Sequence, residues 1–233
     1  MPAPVPANGS GNHTLGGRVY EQLRDDIVFL RLEPGRMIYE NEIAESLRVS
    51  RTPVREAFRA LAGEELIEIL PQRGTRVRLI SERKVSEVRF IRKHLETPAF
   101  RLAAQRWDKA VAARHESRLR ELLDRQQAAV EKEDAALLLK LDEEFHRAIM
   151  SITENRTLLQ VVGHMRAHIN RLRFLALREF RELKRVVAEH VRLFDGIRAG
   201  DERLTASLLD DHLARLDVEM PLLRERYPHY FEP

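Results

Sequence analysis

Residues 49–61 read VSRTPVREAFRAL, and this stretch decides the fold of the first part of the chain. Ser50 is a favourable helix N-cap, and Pro53 suits the first helical turn, where its missing N–H costs nothing. Four apolar side chains fall on one helical face: Val54, Ala57, Phe58 and Leu61. Three cations repeat every four residues on another face: Arg51, Arg55 and Arg59. The stretch therefore predicts a helix with one buried face and one cationic face.

Two further helices are predicted before this one. The first begins at Thr14, which is a good cap, and ends at the turn at 32–35, because Pro34 and Gly35 break helices. The second spans 40–47 and is separated from the cationic helix by a tight connection. Two helices joined in this way form a helix-turn-helix.

Two short strands are predicted after the helix-turn-helix, at 66–70 and 75–80, because both segments are rich in β-branched residues. The turn at 71–74 joins them and places Arg73 at its tip. A β-hairpin in this position is a wing. Residues 14–80 are therefore predicted to form a winged helix-turn-helix domain.

The placement of charge favours nucleic-acid binding more than the total charge does. The net charge is only +3, and residues 1–80 carry 11 Arg and Lys against 11 Asp and Glu. Within that part, 48–59 and 73–78 together hold seven Arg and a single acidic residue, Glu56. Contacts with phosphates need such a local concentration of positioned cations.

The chain from residue 81 onward has a helical pattern almost to its end. Helix breaks are expected at five places: near 107–108, 131–134, 153–155, 179–182 and 200–201. They predict about six helices packed as a bundle over 81–228. With 43% hydrophobic and 6% aromatic residues, we expect a mainly α fold: a disordered tail at 1–13, the winged helix-turn-helix, and an all-helical bundle.

Several classes of protein are excluded or disfavoured by composition. The chain has no cysteine, which excludes disulfides and thiolate zinc sites. No apolar run approaches the roughly 20 residues that cross a bilayer. The first 13 residues lack the basic-then-apolar pattern of a signal peptide. We therefore expect a cytoplasmic protein.

Four residues of the helical part form a possible metal-binding set. Asp142 and His146 are spaced i, i+4 and project from the same helical face. His190 and His212 lie among apolar residues of two later predicted helices. Three imidazoles and one carboxylate suit zinc, nickel or manganese. Spacing alone leaves two alternatives open, hydrogen-bonded core histidines and a surface Asp–His pair.

Residues 49–61, with PQRGTRV at 71–77, closely resemble the signature of the GntR family of bacterial regulators. The resemblance covers about 15–80. It implies DNA contacts at six positions: Ser50, Arg51, Thr52, Arg55, Arg73 and Gly74. Arg48 and Glu65 stand where the family usually has glycine, so we expect a lengthened or distorted helix end at Glu65.

Residues 84–225 resemble the all-helical FCD domain of the FadR-like branch of this family. The resemblance is carried by IRKHLE at 91–96, DEEFH at 142–146, NRTLL at 155–159 and EH at 189–190. It implies a divalent ion, zinc first with nickel or manganese as alternatives, held by four residues: Asp142, His146, His190 and His212. It also implies that Arg92 binds an effector carboxylate. The alternative for Arg92 is a surface pair with Glu96 at i+4.

The sequence as a whole predicts a homodimeric transcriptional regulator that binds a palindromic operator and responds to a small organic acid bound at the ion. It predicts a regulator and not an enzyme. A metalloenzyme is the rival class, with Glu143 and Glu144 as neighbouring carboxylates, but it leaves the winged helix unexplained. A purely structural ion is a third alternative.

Overall fold

The structure, a computed structural model, describes residues 14–233, so the tail predicted at 1–13 lies outside the described residues. The described chain divides into two compact units. The first comprises 14–84 together with Arg224–Pro233, and the second is Val85–Leu223. Within this described part, no helix is both long enough and apolar enough to cross a membrane.

The first unit contains the winged helix-turn-helix that the sequence predicts. Its elements follow in chain order: α1 (Leu15–Val28), β1 (Met37–Ile38), α2 (Glu40–Leu47), α3 (Arg51–Gly63), β2 (Ile67–Leu70) and β3 (Gly74–Val77). The Thr14 side chain caps α1 by accepting from the Gly17 N–H. The apolar faces of α1 and α3 pack against each other, with Leu23, Phe58 and Leu61 buried.

The sheet of the first unit has three strands, whereas the sequence predicted only the hairpin. The order is β1-β3-β2 and both pairings are antiparallel, with Met37 opposite Arg76 and Ile69 opposite Thr75. Strand β1 has only two residues, too few for a periodicity to reveal it. The wing is thereby tied to the segment that precedes α2.

The second predicted strand ends earlier than expected because its last residue pairs elsewhere. Ile80 bridges to Phe231, donating its N–H to the Tyr230 carbonyl at 2.8 Å and accepting from the Glu232 N–H at 3.0 Å. Tyr230 and Phe231 are buried. Tyr230 and Phe231 therefore belong to the core of the first unit, which no sequence pattern indicated.

Three helix ends of the first unit adopt left-handed backbone without glycine, at Leu30, Arg48 and Glu65, and the last two are the positions where the family usually has glycine. Arg48, which ends α2, has φ 56°, and Glu65, just after α3, has φ 59°. The family-based expectation at Glu65 was a lengthened or distorted helix. Instead α3 ends at Gly63, and Glu65 itself takes the left-handed conformation that glycine normally supplies.

The helical part of the described chain has seven α-helices, one more than predicted. They are α4 (Glu82–Gln105), α5 (Lys109–Glu131), α6 (Ala135–Ser151), α7 (Arg156–Phe180), α8 (Leu183–Arg198), α9 (Glu202–Ala214) and α10 (Leu216–Arg226). All five predicted breaks are present. The additional break, at Arg215, carries no glycine, proline or capping residue that would mark it in the sequence.

Local capping explains where most of these helices begin. Four side chains each accept a hydrogen bond from the backbone N–H three residues later: Asp108, Asp134, Asn155 and Asp201. In the second unit, α5 packs against α6 and α8, α6 against α7, and α8 against α9. This arrangement brings inward-facing polar residues of several helices together.

Candidate functional site

The start of α3 presents the residues expected to contact DNA. Ser50, Arg51, Thr52 and Arg55 are exposed, while Val54 on the opposite face is buried. Ser50 occupies the N-cap position, but its hydroxyl makes no capping hydrogen bond. The first backbone N–H groups of α3 therefore lack a side-chain cap, an arrangement suited to a phosphate.

Arg55 is not an isolated cation. Its Nε lies 2.7 Å from Glu40 Oε2 at the start of α2, and both side chains remain substantially exposed. An exposed pair of this kind contributes at most about 1 kcal/mol to stability. The pair therefore orients the guanidinium across the helix-turn-helix without removing it from solvent.

The wing holds the other two expected contacts. Arg73 is exposed at the tip. Gly74 has φ +102°, and a Cβ there would lie 2.7 Å from Cε1 of Tyr39, so only glycine fits both the backbone and the space. Gly74 thus has a structural role in the close approach of β3 to Tyr39.

The four residues proposed as metal ligands meet in the interior of the second unit. Asp142 and His146 come from α6, His190 from α8 and His212 from α9, and one potential ligand atom of each lies within 4.8 Å of the others. All four are buried. Asp142 Oδ1 lies 3.2 Å from Nε2 of His190 and 3.8 Å from Nε2 of His212.

Each histidine of this cluster is oriented by a second polar group. The Nδ1 atoms lie 2.8 Å from three oxygens: Glu96 Oε2 for His146, Gln126 Oε1 for His190 and Glu189 Oε2 for His212. A metal-ligating histidine commonly donates its other ring N–H in this way, which fixes the tautomer. The buried Nε2 atoms of His146 and His190 have no hydrogen-bond partner. The donor set therefore fits a divalent ion.

Burial and neighbouring charges set the protonation states that a metal needs. Burial lowers the pKa of His146 to about 3 and also lowers the pKa of His190, so both rings are neutral near pH 7. Burial alone would raise the pKa of Asp142, but the Arg173 guanidinium and the nearby histidines hold it well below its usual range. Neutral imidazoles and an ionised carboxylate are the ligand forms that bind metal.

Arginines surround the cluster. Arg173 forms a two-pronged ion pair with Asp142, with N···O distances of 2.6 and 2.7 Å. Arg92 pairs with Glu96 at 2.7 and 3.2 Å, and Arg166 lies 3.6 Å from the same carboxylate. The pairing of Arg92 with Glu96 at i+4 is therefore present, but it is buried and not on the surface.

Two adjoining spaces lead to the cluster. An inner cavity of about 50 Å³ is lined by Arg92, Arg173 and His212. An outer groove of about 740 Å³ runs along α8, α9 and α10 and also reaches His212. Arg215 lines both spaces and pairs with three carboxylates at their boundary: Glu182, Glu189 and Glu219.

The sequence did not reveal the residues that support the cluster. Glu189 precedes His190, yet it contacts His212, because neighbouring residues on a helix point about 100° apart. Glu96 was noted as the end of the IRKHLE motif and as a partner of Arg92, and it also holds His146. Gln126 and Arg173 lie outside every motif found in the sequence, so no signal in one sequence would have found them.

Comparisons with known proteins agree with this architecture. Residues 15–77 match the family described as bacterial regulatory proteins, gntR family, and residues 87–215 match the FCD domain. The HTH-type transcriptional regulator in unstable DNA locus of Streptomyces ambofaciens is 31% identical over 213 residues, covering 91% of this chain and 88% of the relative.

Two further similarities extend over most of the chain. A probable D-xylose utilization operon transcriptional repressor of Paenarthrobacter nicotinovorans is 33% identical over 200 residues, covering 84% of this chain and 86% of the relative. The solved structure of E. coli McbR/YncC has a TM-score of 0.77 at 24% identity, covering 92% of this chain and 99% of that one. At this identity the structural likeness shows the fold alone.

Proposed function

This protein belongs to the GntR family of DNA-binding transcriptional regulators and carries an FCD domain, and from this premise we propose that a divalent ion and a small organic acid in the helical bundle control its binding to DNA. The observation that carries the proposal is the convergence of one carboxylate and three oriented imidazoles in the buried centre of that domain. The DNA-reading residues and the metal ligands are proposed and tested separately.

For DNA reading, we propose that the start of α3 enters the major groove and that the wing contacts the backbone or minor groove. Arg51 and Arg55 are exposed at the beginning of the helix, where a guanidinium fork can bind guanine O6 and N7. Thr52, Ser50 and Arg73 are placed to reach phosphates. Two copies would bind the two halves of a palindromic site as a homodimer.

Arg55→Ala tests the recognition helix. We expect binding to a duplex selected from a random pool with the unmodified protein to weaken about 10- to 100-fold, since a bidentate base contact contributes roughly 1–3 kcal/mol. Fluorescence anisotropy measures the affinity, and circular dichroism checks the helical content. Arg114→Ala is the control, because Arg114 is a similarly exposed arginine on α5. Equal affinities of the two variants would contradict the assignment.

For the ion, we propose zinc held by Asp142 Oδ1 and by Nε2 of three histidines: His146, His190 and His212. Four ligands of this kind suit tetrahedral zinc, with nickel or manganese as alternatives of higher coordination number. The orphaned Nε2 atom of His146 supports the assignment, because a buried nitrogen without a partner costs free energy that a metal bond removes.

His190→Ala tests the metal assignment. We expect the zinc content of protein purified in the presence of zinc to fall from one ion per chain to nearly none, measured by plasma mass spectrometry. His164→Ala is the control, because His164 is an exposed histidine on α7. The ion is misassigned if His190→Ala retains one zinc per chain, or if the unmodified protein holds none.

For the effector, charge favours an anion. Arg92 and Arg173 line the inner cavity beside His212. A guanidinium can donate to both oxygens of a carboxylate. A small carboxylate that reaches the proposed ion would therefore meet donors of matching charge and geometry. It would enter from the outer groove past Arg215.

A purely structural ion is the second candidate, because four protein ligands complete a tetrahedral zinc and the inner cavity is small. Thermal unfolding of the zinc-loaded protein with a panel of small carboxylates separates the two. A ligand that binds only the folded protein increases the free energy of unfolding by about 2.7 kcal/mol when its concentration is 100 times its Kd. This increase raises Tm. A structural ion alone gives no such rise with any member of the panel.

A metalloenzyme would need Glu143 or Glu144, the carboxylates next to Asp142 in sequence, as its base. The Glu144 side chain is exposed and lies 2.7 Å from Arg118, and the Glu143 carboxylate contacts Asn170. Neither carboxylate adjoining the cluster in sequence is therefore directed at the proposed ion. A regulator that binds its effector at the ion needs no such base.

A further inference from the structure

Arg173 contacts the oxygen that would have to bind the metal. Its Nη2 lies 2.6 Å from Asp142 Oδ1, and its Nη1 lies 2.7 Å from Oδ2. Oδ1 is also the oxygen that faces Nε2 of His190 at 3.2 Å and Nε2 of His212 at 3.8 Å. The guanidinium thus occupies the charge-compensating place that a metal ion would take.

The two cations are poorly compatible at one carboxylate oxygen. A zinc ion would lie about 2.0–2.2 Å from Oδ1, which puts it within about 5 Å of the guanidinium. Asp142 is fully buried and only 12% of the Arg173 side chain is exposed, so solvent screens their repulsion weakly. The planar two-pronged geometry also requires both oxygens at once.

We propose that Arg173 is a built-in counter-ion that competes with the divalent ion for Asp142, so that metal loading breaks the two-pronged pair at Oδ1. The inference rests on the proposed metal site, but its failure can be distinguished from the failure of that site. In the metal-free protein the arginine keeps the buried carboxylate compensated. In the loaded protein the ion takes over this role.

The displaced guanidinium would face the inner cavity. Arg173 already lies on the wall of the inner cavity beside Arg92 and His212. Its released N–H donors match a carboxylate in geometry and charge. Recognition of an acid would then follow metal loading, because Arg173 is engaged with Asp142 until the ion arrives.

Arg173→Met tests the competition, and Arg166→Met is the matched control. Both remove one buried guanidinium near the cluster, but Arg166 contacts Glu96 and the Glu143 carbonyl, whereas Arg173 forms the two-pronged pair with Asp142. Zinc affinity is measured by titration against a chromophoric chelator. We expect Arg173→Met to bind zinc at least tenfold more tightly than the unmodified protein, and Arg166→Met to change the affinity less than threefold.

Each other outcome contradicts the proposal. An equal gain in both variants would mean that only long-range repulsion acts. Unchanged or weaker binding in Arg173→Met would mean that the arginine merely orients Asp142 for the metal. If neither the unmodified protein nor Arg173→Met binds zinc, the proposed metal site fails and the competition fails with it.

Thermal unfolding gives a second readout that also guards against misfolding. In chelator, Arg173→Met should have a lower Tm than the unmodified protein, because Asp142 loses its partner. On adding zinc, its Tm should rise further than that of the unmodified protein. A zinc-induced rise no larger than in the unmodified protein would overturn the proposal independently of the titration.

Discussion

The two units of this protein, the DNA-reading unit (14–84 with Arg224–Pro233) and the bundle (Val85–Leu223), place the side chains proposed to be functional in opposite environments. In the DNA-reading unit, Arg51, Arg55 and Arg73 are exposed, and each is positioned by the local conformation of a helix start or a turn. In the bundle, Asp142 and its three histidines are buried and come from three helices. Each bundle histidine is also held by a polar residue distant in sequence.

This difference teaches which changes should separate function from stability. An exposed arginine makes few contacts with its own protein, so its loss affects binding and leaves the fold intact. A buried charged residue compensates several neighbours, so its loss affects the fold as well. The predictions below test this contrast, beginning with the largest expected effect.

The largest expected difference between the two units is between two ion pairs of equal length, one buried and one exposed. Arg92–Glu96 in the bundle and Arg55–Glu40 in the DNA-reading unit both have N···O distances of 2.7 Å, but the first is buried and the second exposed. We expect Glu96→Ala to lower the free energy of unfolding by about 3–5 kcal/mol, because it leaves two buried guanidiniums uncompensated. Urea denaturation of metal-free protein measures this loss.

The matched variant is Glu40→Ala. We expect it to change the free energy of unfolding by less than about 1 kcal/mol, since exposed pairs contribute little. Losses of similar size in the two variants would show that burial does not govern these pairs, and the contrast between the units would fail.

The C-terminal segment, Arg224–Pro233, could contradict this contrast, because it supports the DNA-reading unit from a distant part of the sequence. Phe231 is only 3% exposed and follows Tyr230, whose carbonyl accepts from Ile80. We expect Phe231→Ala to cost about 3 kcal/mol and to increase hydrogen exchange in the winged helix, because truncating a buried phenylalanine leaves a cavity. Glu232→Ala, at the exposed neighbouring position, is the control and should be near neutral.

A DNA-reading unit that depends on Phe231 would not be positioned by local sequence alone. If Phe231→Ala leaves exchange in 15–80 unchanged, the C-terminal segment is dispensable for that unit. Contacts within 15–80 would then be sufficient to stabilise the DNA-reading unit.

The smallest expected effect on stability concerns Arg48 and Glu65, the left-handed residues that follow α2 and α3. Arg48→Gly and Glu65→Gly should each stabilise the protein by about 1 kcal/mol, because a side chain at φ 56° or 59° is strained and glycine is not. Glu65→Ala is the control, because it removes the same side chain but keeps the Cβ that causes the strain. Thermal denaturation compares the three variants. A gain with Glu65→Ala equal to that with Glu65→Gly would exclude backbone strain as the cause.

The sequence predicted the fold well where the determinants are local. The capping residue Thr14 located the start of α1, caps and breakers located the five helix breaks, and the apolar row of α3 identified its buried face. The strand β1, the break at Arg215 and the pairing of Ile80 with Phe231 were not predicted. Each depends on contacts between distant segments, which leave no periodicity in the chain.

The candidate site was predictable only in part, for the same reason. The i, i+4 spacing places Asp142 and His146 together, and the family resemblance added His190 and His212. Gln126, which orients His190 across 64 positions of sequence, carries no motif. Neither does Arg173, which reaches Asp142 from α7. Residues that support ligands from other helices emerge only once the helices are packed.

The most direct test of the central claim is the position of the ion itself. Crystals of the full chain grown with zinc would be measured at the zinc absorption edge to locate anomalous scatterers. We expect one strong peak in the bundle, about 2.0–2.2 Å from Asp142 Oδ1 and from Nε2 of His146, His190 and His212. Absence of a peak there, or coordination through other atoms or residues, would contradict the account.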